Sequence, residues 1–326
     1  MGRRCAMLAL GGRGFSASGP EPGSGTDGGI TVNEEQRNAM ASGRGFIAAL
    51  DQSGGSTPKA LKLYGIEQDA YDSDEQMFNL IHEMRERLMA SPSFSGQQVL
   101  ATILFEQTMD RAINGEETAA FLWRQKHIVP FVKVDQGLSD AENGVQLMKP
   151  MTKLDSLLKR AVDKRIFGTK MRSFIQEPNE AGIKAIVDQQ FEYADKIAER
   201  GLMPIVEPEV SIECPDKPKA DGLLAAALHT KLDELPGDRQ VMLKLTLPDE
   251  DNLYAPLIEH PRVLRVVALS GGYRLVESCT ILARNHGLIA SFSRALTEGL
   301  TAQQTDAEFD SKLGSNIDEI YAASIT

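Results

Sequence analysis

At 326 residues, 42% hydrophobic and 25% charged, the chain has an ordinary globular composition, with room for one large domain or two smaller ones. A formal net charge of -11 disfavours nucleic acid, whose phosphates attract basic surfaces, and no apolar run approaches the roughly 20 residues of a membrane span. The three scattered cysteines (Cys5, Cys214, Cys279) give no disulfide framework and point to a reducing compartment, while the five histidines (His82, His127, His229, His260, His286) show no pair at metal-ligand spacing, which argues against a zinc site.

Residues 1–30 differ from the rest. They hold Arg3, Arg4 and Arg13 and no acid before Glu21, then run into Gly, Ser and Pro. This reads as a short disordered leader: a plastid or mitochondrial targeting peptide, an untargeted tail, or the product of an upstream start codon. Localisation is therefore left open between cytoplasm and organelle. A G-x-G-x-x-A match at Gly12–Ala17 is discounted because no helix pattern follows it. Gly2 lacks the Ser or Thr at position 6 that myristoylation favours.

From about Val32 onward, short β-rich runs alternate with helical patterns. The runs are FIAAL (46–50), QVLATILF (98–105), IVPFVKV (128–134), IFGTKMR (166–172), MPIVEPE (203–209), QVMLKLT (240–246), VLRVVALS (263–270) and LIASFS (288–293). Between them lie stretches such as DEQMFNLIHEMRERLMA and KLDSLLKRAVDKR, with apolar residues three and four apart. Strand–helix alternation implies parallel strands, and eight repeats over residues 31–326 predict a single α/β domain, a (β/α)8 TIM barrel. The rival, a doubly wound open sheet, usually carries a nucleotide fingerprint that is missing here.

Alternate side chains on a strand face opposite ways. In VMLKLT, Lys244 shares a face with Met242 and Thr246, while Val241, Leu243 and Leu245 form an all-apolar face suited to packing against helices. Lys244 is thus expected to point into the barrel. The same parity aligns Lys133 with Asp135, Lys170 with Arg172, Glu207 with Glu209, and Asp51 with Ile47 and Ala49. Five strands then carry ionisable groups on one face near their C-terminal ends, where barrel enzymes keep their chemistry. For any single residue, a structural ion pair is the plainer explanation; five in matching positions are harder to explain that way.

A cluster of lysines and carboxylates in one cavity suppresses some of the amine charge through desolvation and neighbouring cations. A neutral amine attacks carbonyls, so Lys244 is a candidate imine-forming nucleophile. Two loops suit anions. ALSGGY after the seventh run offers Ser270, Gly271 and Gly272, and SFSRAL is expected to open a helix at Ser293 and Arg294. After the first run, DQSGGSTPKAL places Ser53 and Ser56 nearby, with Ser56 the expected N-cap and Pro58 in the first turn. Turn and cap chemistry alone explains either loop; both together suggest a bisphosphorylated substrate.

The ordered set AALDQSGGSTPKAL, FVKVDQG, FGTKMRS, PIVEPEV, VMLKLT, ALSGGY and ASFSRAL, from about Glu34 to the C-terminus, closely resembles the class I fructose-bisphosphate aldolases, in particular the shorter bacterial-type branch. The resemblance implies a (β/α)8 barrel with no metal and no cofactor, cleaving fructose 1,6-bisphosphate reversibly in glycolysis and gluconeogenesis. It matches Lys244 to the imine lysine, Glu207 to the proton shuttle of carbinolamine dehydration, Asp51 to the base at the C4 hydroxyl, and Lys170 to the cation beside them. Lys133 and Glu209 match supporting positions near the imine lysine and the substrate, and Arg172, aligned with Lys170 by parity, is a further substrate-binding candidate. Ser270, Gly271 and Arg294 match the C1-phosphate end, to which the loop chemistry adds Gly272 and Ser293 as substrate-binding candidates, and Ser53 and Ser56 match the C6 end. The chain departs from the animal enzymes at Ala60, where they have arginine, at Ser293, where they have glycine, and at its end, IYAASIT, which lacks their tyrosine tail.

Two other readings remain at this stage: another Schiff-base aldolase, of transaldolase or deoxyribose-phosphate type with one phosphate site, and a non-catalytic aldolase-like scaffold, which would be expected to lose a charge from the cavity. The expected partner is a phosphorylated sugar, with no nucleic acid and no membrane. A homo-oligomer is left open.

Overall fold

The structure, a computed structural model, describes residues 33–326, so the leader expected over residues 1–30 lies outside the described residues. Eight parallel strands form the central sheet: β1 (Phe46–Leu50), β2 (Val99–Leu104), β3 (Val129–Lys133), β4 (Gly168–Ile175), β5 (Met203–Val210), β6 (Val241–Thr246), β7 (Val263–Leu269) and β8 (Ile289–Phe292). Each pairs with its sequence neighbour, and β1 closes on β8 through Ile47↔Ser291 and Ala48↔Phe292. Every one of the eight β-rich runs overlaps a barrel strand.

Helices fill the crossovers. α1 (Glu34–Ser42) precedes β1; α2 (Thr57–Leu63) and α3 (Asp74–Ala90) follow it. α4 (Glu106–Asp110) and α5 (Thr118–Lys126) follow β2, α6 (Leu154–Asp163) follows β3, and α7 (Glu180–Ala198) follows β4. α8 (Lys217–Asp233), α9 (Ala255–Ile258), α10 (Leu275–Leu282) and α11 (Asp306–Ser324) complete the circuit. Their local chemistry is orderly. Ser73 caps α3 by accepting from Gln76 N–H, and Met77, Ile81, Met84 and Leu88 form its buried stripe. Thr305 and Glu308 form a capping box at the start of α11.

The predicted parity appears as two apolar layers. Ile47, Val129, Phe131, Ile205 and Met242 pack inside the barrel, whereas Ala48, Val132, Val206, Leu243 and Leu245 pack outward against the helices. Phe131 is register partner to Gly168, where a Cβ would come within 2.6 Å of the Phe131 ring; only glycine leaves room for that ring to fill the interior. α1 seals the floor. Its Met40 joins the inner layer, and Arg265 on β7 donates to the carbonyls of Ala41 (2.8 Å) and Gly43 (3.0 Å).

Two local expectations fail. No helix opens at Ser293: Thr297 N–H reaches Ser293 O (3.2 Å), but Glu298 and Leu300 bond three residues back and Gly299 turns to φ 78, so the segment stays a run of turns until α11. Ser56 occupies the N-cap position of α2 without capping it. Its hydroxyl instead accepts from Ser53 N–H (3.1 Å) and lies 3.2 Å from Ser53 O, tightening the loop rather than the helix.

Candidate active site

The C-terminal ends of the strands surround a cavity of ≈ 580 Å³, a size suited to a small, highly polar ligand. Its deepest part is a chain of alternating charges. Lys170 Nζ on β4 lies 2.5 Å from Asp51 Oδ2 and 3.0 Å from Glu207 Oε2, while Glu207 Oε1 on β5 lies 3.1 Å from Lys244 Nζ on β6. The Lys170, Glu207 and Lys244 side chains are each 5% exposed or less. Arg172 pairs with Glu209, and Lys133 with Asp135. Each of these cations is thus paired with a carboxylate, which is what keeps so many buried ions tolerable.

The three lysines are not equivalent. Burial works against Lys170, but Asp51 and then Glu207 overcome it and hold its amine firmly protonated, above the ordinary lysine range. Lys133 moves the other way: burial, then the Lys170 charge, lower it in spite of Asp135 and Asp51. Asp51 also resists burial; Lys170, Lys244 and Lys133 hold its carboxyl well below the usual range. Burial likewise opposes Arg172, and Glu209 reverses the balance, so Arg172 is raised. The floor therefore offers a fixed cation, a fixed anion and, at Glu207, one carboxylate shared between two amines. A carboxylate 3.1 Å from an amine is placed to pass a proton to and from a group formed on it.

Ser53, Ser56, Ser270, Gly271, Ser293 and Arg294 ring the mouth, as expected from sequence. Gly271 holds φ 63, and a Cβ there would come within 2.6 Å of Ile212. Gly272 does not line the cavity; its N–H turns back to Ser270 O (2.7 Å), so it is not offered to an anion in the way the loop sequence suggested. At the α2 rim, Lys59 and Ala60 line the wall side by side.

Several contacts escaped the sequence reading. Asp135 accepts from Arg172 N–H (3.2 Å) as well as from Lys133, although its strand parity already hinted at it. Gln190, fully buried on α7, accepts from Glu207 N–H (2.8 Å) and fixes that strand position. Arg85 sits four residues after Ile81 on the buried stripe of α3; an arginine in an apolar stripe was the available signal. Histidine spacing alone also overlooked Asp233. Among the described residues, His229, Asp233 and His260 bring ligand-type atoms within 4.8 Å of one another. They lie at the opposite end of the barrel, at the C-terminus of α8 and just before β7. There Arg262 N–H donates to His260 Nδ1 (3.2 Å), which leaves the Nε2 proton facing Asp233.

Comparison with known proteins bears on this geometry. The family model for fructose-bisphosphate aldolase class I matches residues 32–220. The fructose-bisphosphate aldolase class 1 of Synechocystis sp. is 61% identical over 297 residues, covering 91% of this chain and 99% of that protein. That of Clostridium acetobutylicum is 58% identical over 295 residues, covering 90% of this chain and 100% of that one. The chain belongs to the class I fructose-bisphosphate aldolases. The family acts on a phosphorylated sugar. A solved structure of fructose-bisphosphate aldolase from Plasmodium falciparum superposes with a TM-score of 0.71 at 19% identity, over 89% of this chain and 92% of that one, a likeness of fold. No helix among the described residues is long and apolar enough to cross a membrane.

Proposed function

We propose that this class I aldolase family member cleaves fructose 1,6-bisphosphate reversibly to dihydroxyacetone phosphate and glyceraldehyde 3-phosphate, the step shared by glycolysis and gluconeogenesis, with Lys244 as the imine-forming residue. One observation carries the assignment: Lys244 Nζ is the buried amine 3.1 Å from Glu207, beside the fixed Lys170–Asp51 pair.

In this reading Lys244 adds to the C2 carbonyl of the open-chain ketose. Glu207 takes and returns the protons that turn the carbinolamine into an iminium. The iminium draws electrons from the C3–C4 bond as Asp51 removes the C4 hydroxyl proton. Cleavage releases the aldehyde and leaves an enamine, and protonation at C3 followed by hydrolysis frees dihydroxyacetone phosphate and Lys244. Lys170 stays protonated throughout and holds Asp51 ionised. Lys133, Glu209 and Arg172 hold the sugar hydroxyls. Ser270, Gly271, Ser293 and Arg294 take the C1 phosphate, with Gly272 shaping that turn, and Ser53 and Ser56 take the C6 phosphate. Lys59 supplies a cation beside Ala60, on the helix where the animal enzymes carry arginine.

The second reading, a non-catalytic scaffold, is disfavoured by the intact charge chain from Asp51 to Lys244. A coupled assay of fructose 1,6-bisphosphate cleavage with and without EDTA tests the proposal. Turnover unaffected by chelator supports it. No turnover from folded protein, or turnover that chelation abolishes, would sink it.

A further inference from the structure

Arg85 is a buried cation with no carboxylate paired to it among the described residues. It is 1% exposed, and burial pulls it down to about 10, with the Asp51 charge opposing, so it is cationic at neutral pH. Its guanidinium is aimed at the loop leaving β1. Nη1 donates to Thr108 Oγ1 (2.8 Å), and Nη2 donates to both Gln52 O (2.6 Å) and Gln52 Oε1 (3.1 Å). Gln52 Nε2 in turn donates to Ser293 Oγ (2.6 Å) across the β1–β8 seam.

The chemistry fixes the direction of this chain. A guanidinium has only donors, so the amide must turn its oxygen to Arg85 and its NH2 to Ser293. Ser293 Oγ then accepts from Gln52, and its own proton is left for another acceptor. Ser293 lines the cavity beside Arg294, Ser270 and Gly271. An anionic oxygen arriving there is the acceptor that completes the chain, and hydrogen bonds of this charged kind are the stronger ones.

We propose that Arg85 and Gln52 are positioning residues forming a relay that presents the Ser293 hydroxyl as a donor to the C1 phosphate of the ketose. This rests on the reading of the site given above and adds a phosphate contact at the position where the animal enzymes have glycine. Arg85 has a second effect through the Gln52 carbonyl: it anchors the link between Asp51 and Ser53. Changing Arg85 therefore disturbs both, whereas changing the Gln52 side chain disturbs the Ser293 arm alone.

The test is a double-mutant cycle of Gln52→Met and Ser293→Ala, read as KM and kcat on fructose 1,6-bisphosphate and on fructose 1-phosphate. Each single variant is expected to raise KM about 5- to 10-fold on both substrates, with kcat within about 3-fold of wild type. The double variant is expected to be no worse than either single one, because both break the same contact. Arg85→Lys, which keeps the charge and reaches one acceptor, is expected to retain more C1-phosphate affinity than Arg85→Met, with thermal melts confirming that both fold. Multiplicative KM effects in the double variant, a loss confined to kcat, or an effect confined to the bisphosphate would each overturn the relay while wild-type turnover leaves the function standing. A wild type that cleaves neither substrate overturns the function, and the relay's ligand with it.

Discussion

Met242 and Lys244 stand on the same face of the same strand, two residues or about 6.6 Å apart. Met242 belongs to the apolar inner layer with Ile205, Phe131 and Ile47; Lys244 belongs to the charge chain with Glu207, Lys170 and Asp51. The lower barrel is closed by α1 and filled by side chains whose burial stabilises the fold at roughly 25 cal/mol per Å². The upper barrel is filled by ions whose desolvation costs free energy that mutual pairing only partly offsets. One strand thus changes from a stabilising residue to the proposed imine lysine within a single inward step, and the lesson is that depth, not strand identity, separates the two roles.

Exchanging the two chemistries is the strongest way to break the comparison. Met242→Lys sets an amine in the apolar inner layer that holds Ile205, Val267 and Phe131, beside its register partner Arg265. It is expected to cost several kcal/mol, a large share of an ordinary domain's stability, and to show as loss of the cooperative melt. A Met242→Lys protein melting within a few degrees of wild type would contradict the depth argument.

Lys244→Met makes the reverse exchange. Removing the proposed nucleophile is expected to lower kcat on the order of 10³-fold or more while circular dichroism and melting stay near wild type. Residual turnover near wild type would remove Lys244 from the chemistry.

Lys170→Met sharpens the comparison within the upper half. In the wild type Asp51 is held below its ordinary value of 3.8, so its ionised form contributes above that pH and is lost only as pH falls through the lower folded value. Its acid limb therefore lies below the usual assay range. Deleting the cation that opposes burial most strongly lets the Asp51 pKa rise. The expected result is a fall in kcat of about 10²-fold and an acid limb of kcat/KM that moves upward into roughly pH 4 to 6. An unmoved limb would mean that Lys170 does not hold Asp51 ionised.

Lys59→Ala, at the exposed rim, is expected to raise KM for fructose 1,6-bisphosphate about 2- to 5-fold and to leave fructose 1-phosphate unchanged, because a solvated cation contributes little. Equal effects on both substrates would move Lys59 away from the C6 end.

The sequence showed the upper and lower halves unequally. Period-two patterning places Lys244, Lys170 and Glu207 inward beside Met242, Gly168 and Ile205, because a closed parallel barrel leaves each strand only an inside and an outside. Loop chemistry was less legible. Ser56 has an N-cap identity yet bonds Ser53, and SFSRAL reads as a helix start yet forms turns, because the three-residue bonds of Glu298 and Leu300 and the left-handed Gly299 decide the outcome. Gln190 and Arg85 reach the site from α7 and α3, and only tertiary packing brings such distant segments together. Asp135 was visible by parity, yet only the paired side chains show that it accepts from both Lys133 and the Arg172 backbone.

The central claim is that Lys244 forms the imine. Borohydride reduction in the presence of dihydroxyacetone phosphate and EDTA, followed by peptide mass mapping, tests it most directly. A stable adduct on the peptide bearing Lys244, absent in Lys244→Met, is the predicted result. An adduct on Lys170 or Lys133, or none on folded wild-type protein, would contradict it.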